Sequence, residues 1–264
     1  MDEYPVKVGS MLFTMVDPHV GHEVAYNRWY ERDHFYGGCM IGPGILAGGR
    51  WVATRALKDL RTPATSPFAS PVDAGSYLAL YFIHDGHVKE HFDWAGKQVG
   101  WLYQNGRGFT ERSHAHTCLY DFAGAVYAPN ETVSIELALD HRFPTLGVVV
   151  TEPRGGADDQ THVDAVREAF SSCLNDGTTR ICSSWRLRGG GVQGNANAPM
   201  SLGTDGGQPD RLVHLLFGDR PAVDAVRRYQ AAAQTLNTEV AEATFVSSFL
   251  PTNIGTDDYT DQLF

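Results

Sequence analysis

The chain has 264 residues, of which 42% are hydrophobic and 20% charged, values typical of a folded globular protein. Its net charge of −10 argues against a nucleic-acid partner, because phosphate binding needs a basic surface. No apolar run approaches the roughly 20 residues of a membrane-spanning helix, and the acidic start lacks the basic region of a secretory signal, so we expect a cytoplasmic protein without a membrane partner.

The first half of the chain predicts four strands and two helices in the order β-α-β-β-α-β. Its third strand is apolar on both faces, which favours a central place in a sheet. Apolar and aromatic residues at helical spacing predict the first helix, which Gly37-Gly38 and then Pro43-Gly44 end. The predicted strands cover residues 6–16, 45–55, 76–84 and 114–124, and the predicted helices cover 22–39 and 86–104.

The second half repeats this order. Its first helix is amphipathic, with Val163, Val166 and Phe170 on one face. A Gly-rich loop at 189–210 corresponds in place to the Pro- and Ser-rich loop at 57–76. The predicted strands cover residues 145–153, 179–188, 211–219 and 243–251, and the predicted helices cover 162–175 and 222–236.

The repeated order predicts two similar α+β domains, residues 1–127 and 128–264, each of the ferredoxin-like βαββαβ type. Helices cover one face of such a sheet, and strands that are apolar on both sides require the other face to be buried as well. Packing the two sheets face to face within one chain does this. The sequence therefore predicts an α/β barrel made by the two halves.

Residues of the first helix and the second strand form a motif about 25 residues long. Its members, in order, are Asn27, Trp29, Tyr30, His34, Pro43-Gly44 and Arg50-Trp51. This motif resembles the EthD-like group of the dimeric α/β-barrel superfamily. Two departures are that Phe35 rather than proline follows the histidine, and that the second half has no equivalent histidine helix and no Pro-Gly. The resemblance implies that the first half keeps the site.

Relatives in this superfamily include cofactor-free monooxygenases, isomerases, polyketide cyclases and decarboxylases, together with haem enzymes, so the fold alone does not choose the reaction. His34 is the candidate general base, because a buried histidine near a helix end stays neutral and able to accept a proton. Tyr30 and Asn27 share its helix face and are candidate donors to a developing oxyanion. The alternative for His34 is a core histidine bonded to a backbone carbonyl.

The first half also holds most of the aromatic residues, which indicates an apolar pocket for a flat ligand there. The candidate substrate-binding residues are Trp29, Trp51, Tyr81, Arg50 and His116.

His114 and His116 form an HxH pair on the fourth predicted strand, where alternation places both on one face. Two imidazoles at this spacing can share a divalent metal, which is an alternative to a cofactor-free site. His87 and His91 lie four residues apart near a helix start, and we expect a solvated face there. An axial haem ligand from His87 is the other alternative.

The sequence thus predicts a cofactor-independent enzyme that uses His34 for proton transfer on a hydrophobic, aromatic or polyketide-like carbonyl compound. The outcome would be isomerisation, cyclisation, lyase-type cleavage or oxygen insertion. A haem or metal enzyme of the same fold, and a non-catalytic protein that binds a small hydrophobic molecule, are the alternatives. A homodimer is compatible with each of them.

Overall fold

A computed structural model describes residues 5–189 and 210–264. The strands of the first half are β1 (Val8–Pro18), β2 (Ile45–Val52), β3 (Tyr77–His84) and β4 (Arg112–Tyr127). Those of the second half are β5 (Thr145–Pro153), β6 (Ile181–Leu187), β7 (Leu212–Gly218) and β8 (Ala241–Pro251). The eight predicted strands are confirmed, with ends that differ by a few residues. The predicted loop at 189–210 lies outside the described residues except at its two ends.

Helices cover the outside of the sheet. The α-helices are α1 (Glu23–Trp29), α2 (Arg55–Lys58), α3 (Val88–Gln104), α4 (Asp159–Asn175) and α5 (Ala222–Ala233). A π-helix, Tyr30–Met40, continues α1, and a short 3₁₀-helix covers Ile135–Leu137. In the described part of the chain no helix combines the length and apolar character needed to cross a bilayer.

The eight strands close into one antiparallel barrel in the order β1-β3-β2-β8-β5-β7-β6-β4. Each half contributes four adjacent strands, and two seams join the halves. One seam is long, because β4 pairs with β6 from Tyr120 to Tyr127. The other is short, because β2 pairs with β8 only at Trp51 and Val52. The predicted closure of two sheets within one chain is therefore observed.

The barrel interior is filled by apolar side chains from alternate positions of all the strands, so the barrel is a packed core. Strands β5 and β7 are almost wholly buried on both faces, as expected for strands between other strands and a helix layer. A second apolar layer lies between the sheet of the first half and its helices, and it includes Tyr26, Tyr30 and Tyr81. The candidate site lies in this layer.

The π-helix corrects the predicted continuous α-helix from 22 to 39. Its wide turns use bonds from N–H groups to carbonyls five residues earlier, as from Ile41 to Tyr36 at 3.3 Å. Gly48 of β2 lies directly beneath this helix. A Cβ atom at Gly48 would collide with Met40 Sδ and lie 2.9 Å from Phe35 Cζ. The glycine therefore allows the π-helix to approach the sheet closely.

A bulge in β4 corrects the prediction for the HxH pair. Met15 of β1 pairs with His116, but Val16 pairs with His114, so Ala115 is an extra residue in β4. An extra residue breaks the strict alternation of side chains along a strand. His114 consequently faces the helix layer, with Val16, whereas His116 faces the barrel interior, with Met15.

The last residues of the chain pack against the first half. Asn27 Nδ2 donates to the carbonyl of Thr256 at 2.8 Å, and Arg28 forms a 2.5 Å ion pair with Asp257. Leu263 is fully buried in the helix-layer core. This segment covers one edge of the layer that contains the candidate site.

Candidate functional site

His34 lies at the centre of a group of aromatic rings. It stacks on Trp29, with 5.2 Å between ring centroids, and meets Tyr30 edge to face at 5.0 Å. Trp29 is five residues before His34, a spacing that an α-helix turns well apart and a π-helix brings together. The change of winding at Tyr30 therefore creates the stacked pair. His34 as a whole residue is half-buried.

Two buried arginines flank this group. The guanidinium of Arg112 lies 4.5 Å from the centre of the Trp29 ring, and that of Arg50 lies 4.6 Å from the centre of the Tyr30 ring. Arg112 Nη2 donates to Tyr103 Oη at 2.9 Å, and Arg50 Nη1 donates to Glu31 at 3.3 Å. The remaining terminal nitrogens, Arg50 Nη2 and Arg112 Nη1, are shielded from solvent and have no hydrogen-bond partner among the described residues.

Two further polar atoms in this layer, His114 Nε2 and Tyr77 Oη, also lack a partner within residues 5–189 and 210–264. Tyr77 faces Arg50, with its ring centre 5.3 Å from the guanidinium carbon. Buried polar atoms are nearly always paired, and leaving one unpaired costs about 1–3 kcal/mol. Two unpaired guanidinium nitrogens beside a histidine indicate a place for an oxygen acceptor, above all an anionic one.

The surroundings keep the histidines of this layer neutral. Burial, followed by electrostatic interactions with Arg112, His114 and Arg50, lowers the pKa of His34 to about 3. Burial, followed by the charge of Arg112, lowers the pKa of His114 to about 3 as well. Near pH 7 the His34 ring is therefore an acceptor, and the positive charge of the site comes from the two arginines.

The tyrosines of the layer stay protonated. The hydroxyls of Tyr30 and Tyr81 lie 3.0 Å apart in a hydrogen bond. Burial raises the pKa of both phenols, and it also raises the pKa of the nearby Cys39 thiol to about 12. These groups are neutral, so they shape the site without adding charge.

The structure brings together most of the residues predicted for the site. His34, Tyr30, Trp29, Tyr81 and Arg50 share the helix layer. This grouping shows that the five side chains are neighbours, while their roles stay predictions.

Three predicted residues lie apart from this group. The side-chain amide of Asn27 donates a hydrogen bond to the carbonyl of Thr256, so Asn27 faces the C-terminal segment. Trp51 points into the barrel, where its ring centre lies 6.3 Å from that of Phe217. His116 is also inside the barrel, stacked on Phe68 at 4.0 Å with its Nε2 bonded to Tyr120 at 2.7 Å. The sheet thus separates Trp51 and His116 from His34.

Metal alternatives fit less well. The bulge points His114 and His116 to opposite sides of the sheet, so they cannot share an ion as predicted. Within the described residues no group of three or more His, Cys, Asp and Glu side chains is placed to hold a metal. The side chain of His87 is 45% exposed and pairs with Glu90. The expected solvated face is wrong for His91, which is buried and bonded to the carbonyl of Pro43.

Arg112 and Tyr77 join the site without having been selected from the sequence. The available signal for Arg112 was its place two residues before His114, just outside the predicted strand at 114–124. Its contact with Trp29 depends on the pairing of β4 with β1, which no local pattern specifies.

No family model and no curated protein matches the sequence. Three solved structures match nearly the whole chain at 9% identity: a protein named as a chlorite dismutase, an anthrone oxidase-like protein, and a dye-decolorizing peroxidase from Bacteroides thetaiotaomicron. Their TM-scores are 0.53, 0.51 and 0.51, and the matches cover 98%, 96% and 97% of this chain and 100%, 98% and 96% of theirs. At this identity the likeness shows the fold alone.

Proposed function

We propose that the protein is a cofactor-independent, EthD-like enzyme that removes a proton from a hydrophobic, aromatic or polyketide-like carbonyl compound. The observation that carries this proposal is the pair of buried, unpaired guanidinium nitrogens, Arg50 Nη2 and Arg112 Nη1, beside a neutral His34. A base and a preorganised site for negative charge are the two requirements for forming an enolate.

In the proposed step, a C–H bond acidified by the carbonyl breaks and its proton moves to a ring nitrogen of His34. The electron pair moves onto the carbonyl oxygen, to which Arg50 Nη2 and Arg112 Nη1 donate. The two guanidiniums weaken His34 as a base in the free enzyme. The developing oxyanion offsets their charge, so the basicity of His34 rises as the proton arrives.

This assignment moves the oxyanion role predicted for Tyr30 and Asn27 to the two arginines. Tyr30 instead packs under Arg50 and bonds to Tyr81. The unpaired nitrogens are shielded from solvent, so a substrate reaches them only after the surrounding rings move. We place that opening at His34, which is half-buried, whereas Tyr30 and Trp29 are buried.

A haem does not fit this layer. Tyr26, Tyr30, Phe35 and Tyr81 are each at most 5% exposed, and they fill the space between the π-helix and β3. A macrocycle beside His34 would have to displace several of these rings. His116 has its Nε2 bonded to Tyr120, and His114 Nε2 is shielded from solvent.

We further infer that the halves are ferredoxin-like repeats, residues 1–127 and 128–264, with the site in the first. Support comes from the strand order, which runs β4-β1-β3-β2 in one half and β8-β5-β7-β6 in the other. The first helix of the second half, α4, packs its layer with Val166, Phe170 and Leu174, without a histidine stacked on a tryptophan.

The test measures proton removal directly. Purified protein is incubated in D₂O without oxygen, with anthrone or 1-indanone as probe, and deuterium uptake at the acidic carbon is followed by mass spectrometry. Anthrone is chosen because one protein of this fold is named anthrone oxidase-like. In air, loss of the anthrone proton and reaction with O₂ would give anthraquinone and water.

We expect His34→Gln to lower the exchange rate at least about 100-fold, the usual contribution of a general base. The control is His87→Gln. His87 is the N-cap residue of α3, its side chain is partly exposed, and its substitution should leave the exchange rate unchanged. Exchange that is equally fast in wild type and His34→Gln would contradict the proposal. Binding of the probes without any exchange would favour the non-catalytic alternative.

A further inference from the structure

A cavity, which we name the barrel-mouth cavity, opens at one end of the barrel. Its volume is about 960 Å³. Its wall includes Asp17 at the end of β1, Lys58 of α2, Phe68 of the following loop and Arg211 before β7. It shares His114 with the region around His34, but its main walls belong to the barrel end rather than the helix layer. The proposed reaction does not use it.

Lys58 is the unusual residue in this wall. It is 4% exposed, whereas the other three lysines of the chain, Lys7, Lys89 and Lys97, are exposed. Its Nζ donates to Ser76 Oγ at 3.0 Å, and within the described residues this is its only hydrogen bond and it has no ion pair. An ammonium has three donors, so two donor positions of a buried charge lack protein acceptors.

The carboxylates near Lys58 are already committed. Asp17 accepts from the backbone N–H groups of Gly75 and Ser76 at 2.6 and 2.7 Å, and from Ser76 Oγ at 2.6 Å. The other two carboxylates of the wall pair with arginines at 2.8 and 2.6 Å: Asp73 with Arg55, and Glu152 with Arg211. Lys58 meets Asp17 only through the shared Ser76 hydroxyl, so among the described residues it is the wall cation without a direct ion pair.

The apolar part of the wall has aromatic faces. Phe68 is 2% exposed, and its ring packs at the end of the barrel, where it stacks on His116. The ring of Phe264 lies 5.4 Å from Lys58 Nζ. A pocket with one unmatched buried cation between aromatic surfaces matches a ligand that combines an anion with a flat apolar body.

We propose that the barrel-mouth cavity binds a small aromatic carboxylate, whose carboxylate pairs with Lys58 and whose ring lies against Phe68 and Phe264. A buried charge without a direct counter-ion is unfavourable, and a ligand carboxylate supplies both a directly paired opposite charge and the missing acceptors. This site is separate from the proposed proton-transfer site, so either can be correct without the other.

The first test is a fluorescence titration with 1-naphthoate. We expect Lys58→Met, which keeps the length of the side chain and removes its charge, to weaken binding at least 10-fold. Lys97→Met changes an exposed lysine of α3 and should bind like wild type. The neutral analogue 1-naphthalenemethanol should bind wild type at least 10-fold more weakly than the acid. Equal affinities for Lys58→Met and wild type, or for alcohol and acid, would overturn the proposal.

The second test needs no variant of Lys58 and so does not depend on the folding of Lys58→Met. Wild-type protein is methylated with formaldehyde and cyanoborohydride, and each lysine is read by peptide mass spectrometry. We expect 1-naphthoate to slow the labelling of Lys58 while Lys7, Lys89 and Lys97 label as before. Labelling of Lys58 at the same rate with and without naphthoate would refute the site. His34→Gln should keep the protection, which separates this result from the proposed reaction.

Discussion

At the scale of single residues, His34 is defined by its neighbours more than by its own motif. The sequence identified the histidine together with Trp29 and Tyr30, because more aromatic residues are present on this helix than packing requires. It could not identify Arg112, since residues 29 and 112 meet only after β4 pairs with β1. Lys58 was missed for a similar reason, because its burial depends on the loop that closes the barrel end.

The lowered pKa of His34 predicts the pH dependence of the proposed reaction. A base with a pKa of about 3 stays neutral at every pH above that value, so kcat/KM for deuterium exchange should be flat from pH 8 to pH 5. In the folded enzyme, protonation of His34 removes activity only as the pH falls towards 3. Arg112→Gln removes the largest charge contribution to this shift and should move the acidic limb to higher pH. A wild-type limb centred near 6.5 would contradict this assignment.

At the scale of secondary structure, the residue patterns predicted the positions of the strands and helices. They did not predict the π-helix or the bulge in β4. Apolar runs bounded by glycine and proline located the eight strands, because these signals are local. The π-helix and the bulge at Ala115 are set by contacts with other strands. Both deviations fall at the candidate site, where they aim His34 and His114 into the same layer.

Gly48 tests the dependence of the π-helix on the sheet beneath it. Gly48→Ala should lower the free energy of unfolding by about 1–3 kcal/mol, because its Cβ would press on Phe35 and Met40. Gly96→Ala, on an exposed face of α3 with no atom within 4 Å of the new Cβ, should be neutral or stabilise by up to about 1 kcal/mol. Urea unfolding measures the stability of both variants. Equal stabilities for Gly48→Ala and Gly96→Ala would mean that the π-helix shifts away from the sheet without loss of stability.

At the scale of the whole molecule, the fold buries histidines in both halves. In the second half, His162 and His214 both bond to the hydroxyl of Thr151, at 2.8 and 2.9 Å, and His214 also bonds to Ser184 at 2.9 Å. Burial lowers the pKa of His214 to about 3 and that of His162 to about 4. It lowers the pKa of His116, inside the barrel, to about 3.

These three histidines predict loss of stability in mild acid. A histidine that is harder to protonate when folded adds stability fully above its unfolded pKa of about 6.5, and this contribution falls as the pH drops towards the folded value. At pH 5.5 each should cost about 1.4 kcal/mol relative to pH 7.5, or about 4 kcal/mol for the three. His162→Gln should remove about 1.4 kcal/mol of the change in unfolding free energy between pH 7.5 and pH 5.5, measured by urea unfolding, whereas His19→Gln, at an exposed site, should leave that change intact.

The unequal seams have a consequence for any attempt to divide the protein. Strand β4 belongs to the first half, yet its last eight residues, from Tyr120, complete the sheet of the second half. A fragment ending at residue 127 would display this stretch as an unprotected strand edge, which invites pairing with another chain. Two such fragments could satisfy each other's edges and rebuild a barrel. In the single polypeptide the second half already covers this edge, so the intact chain forms within itself the barrel that two separated fragments would form by dimerising.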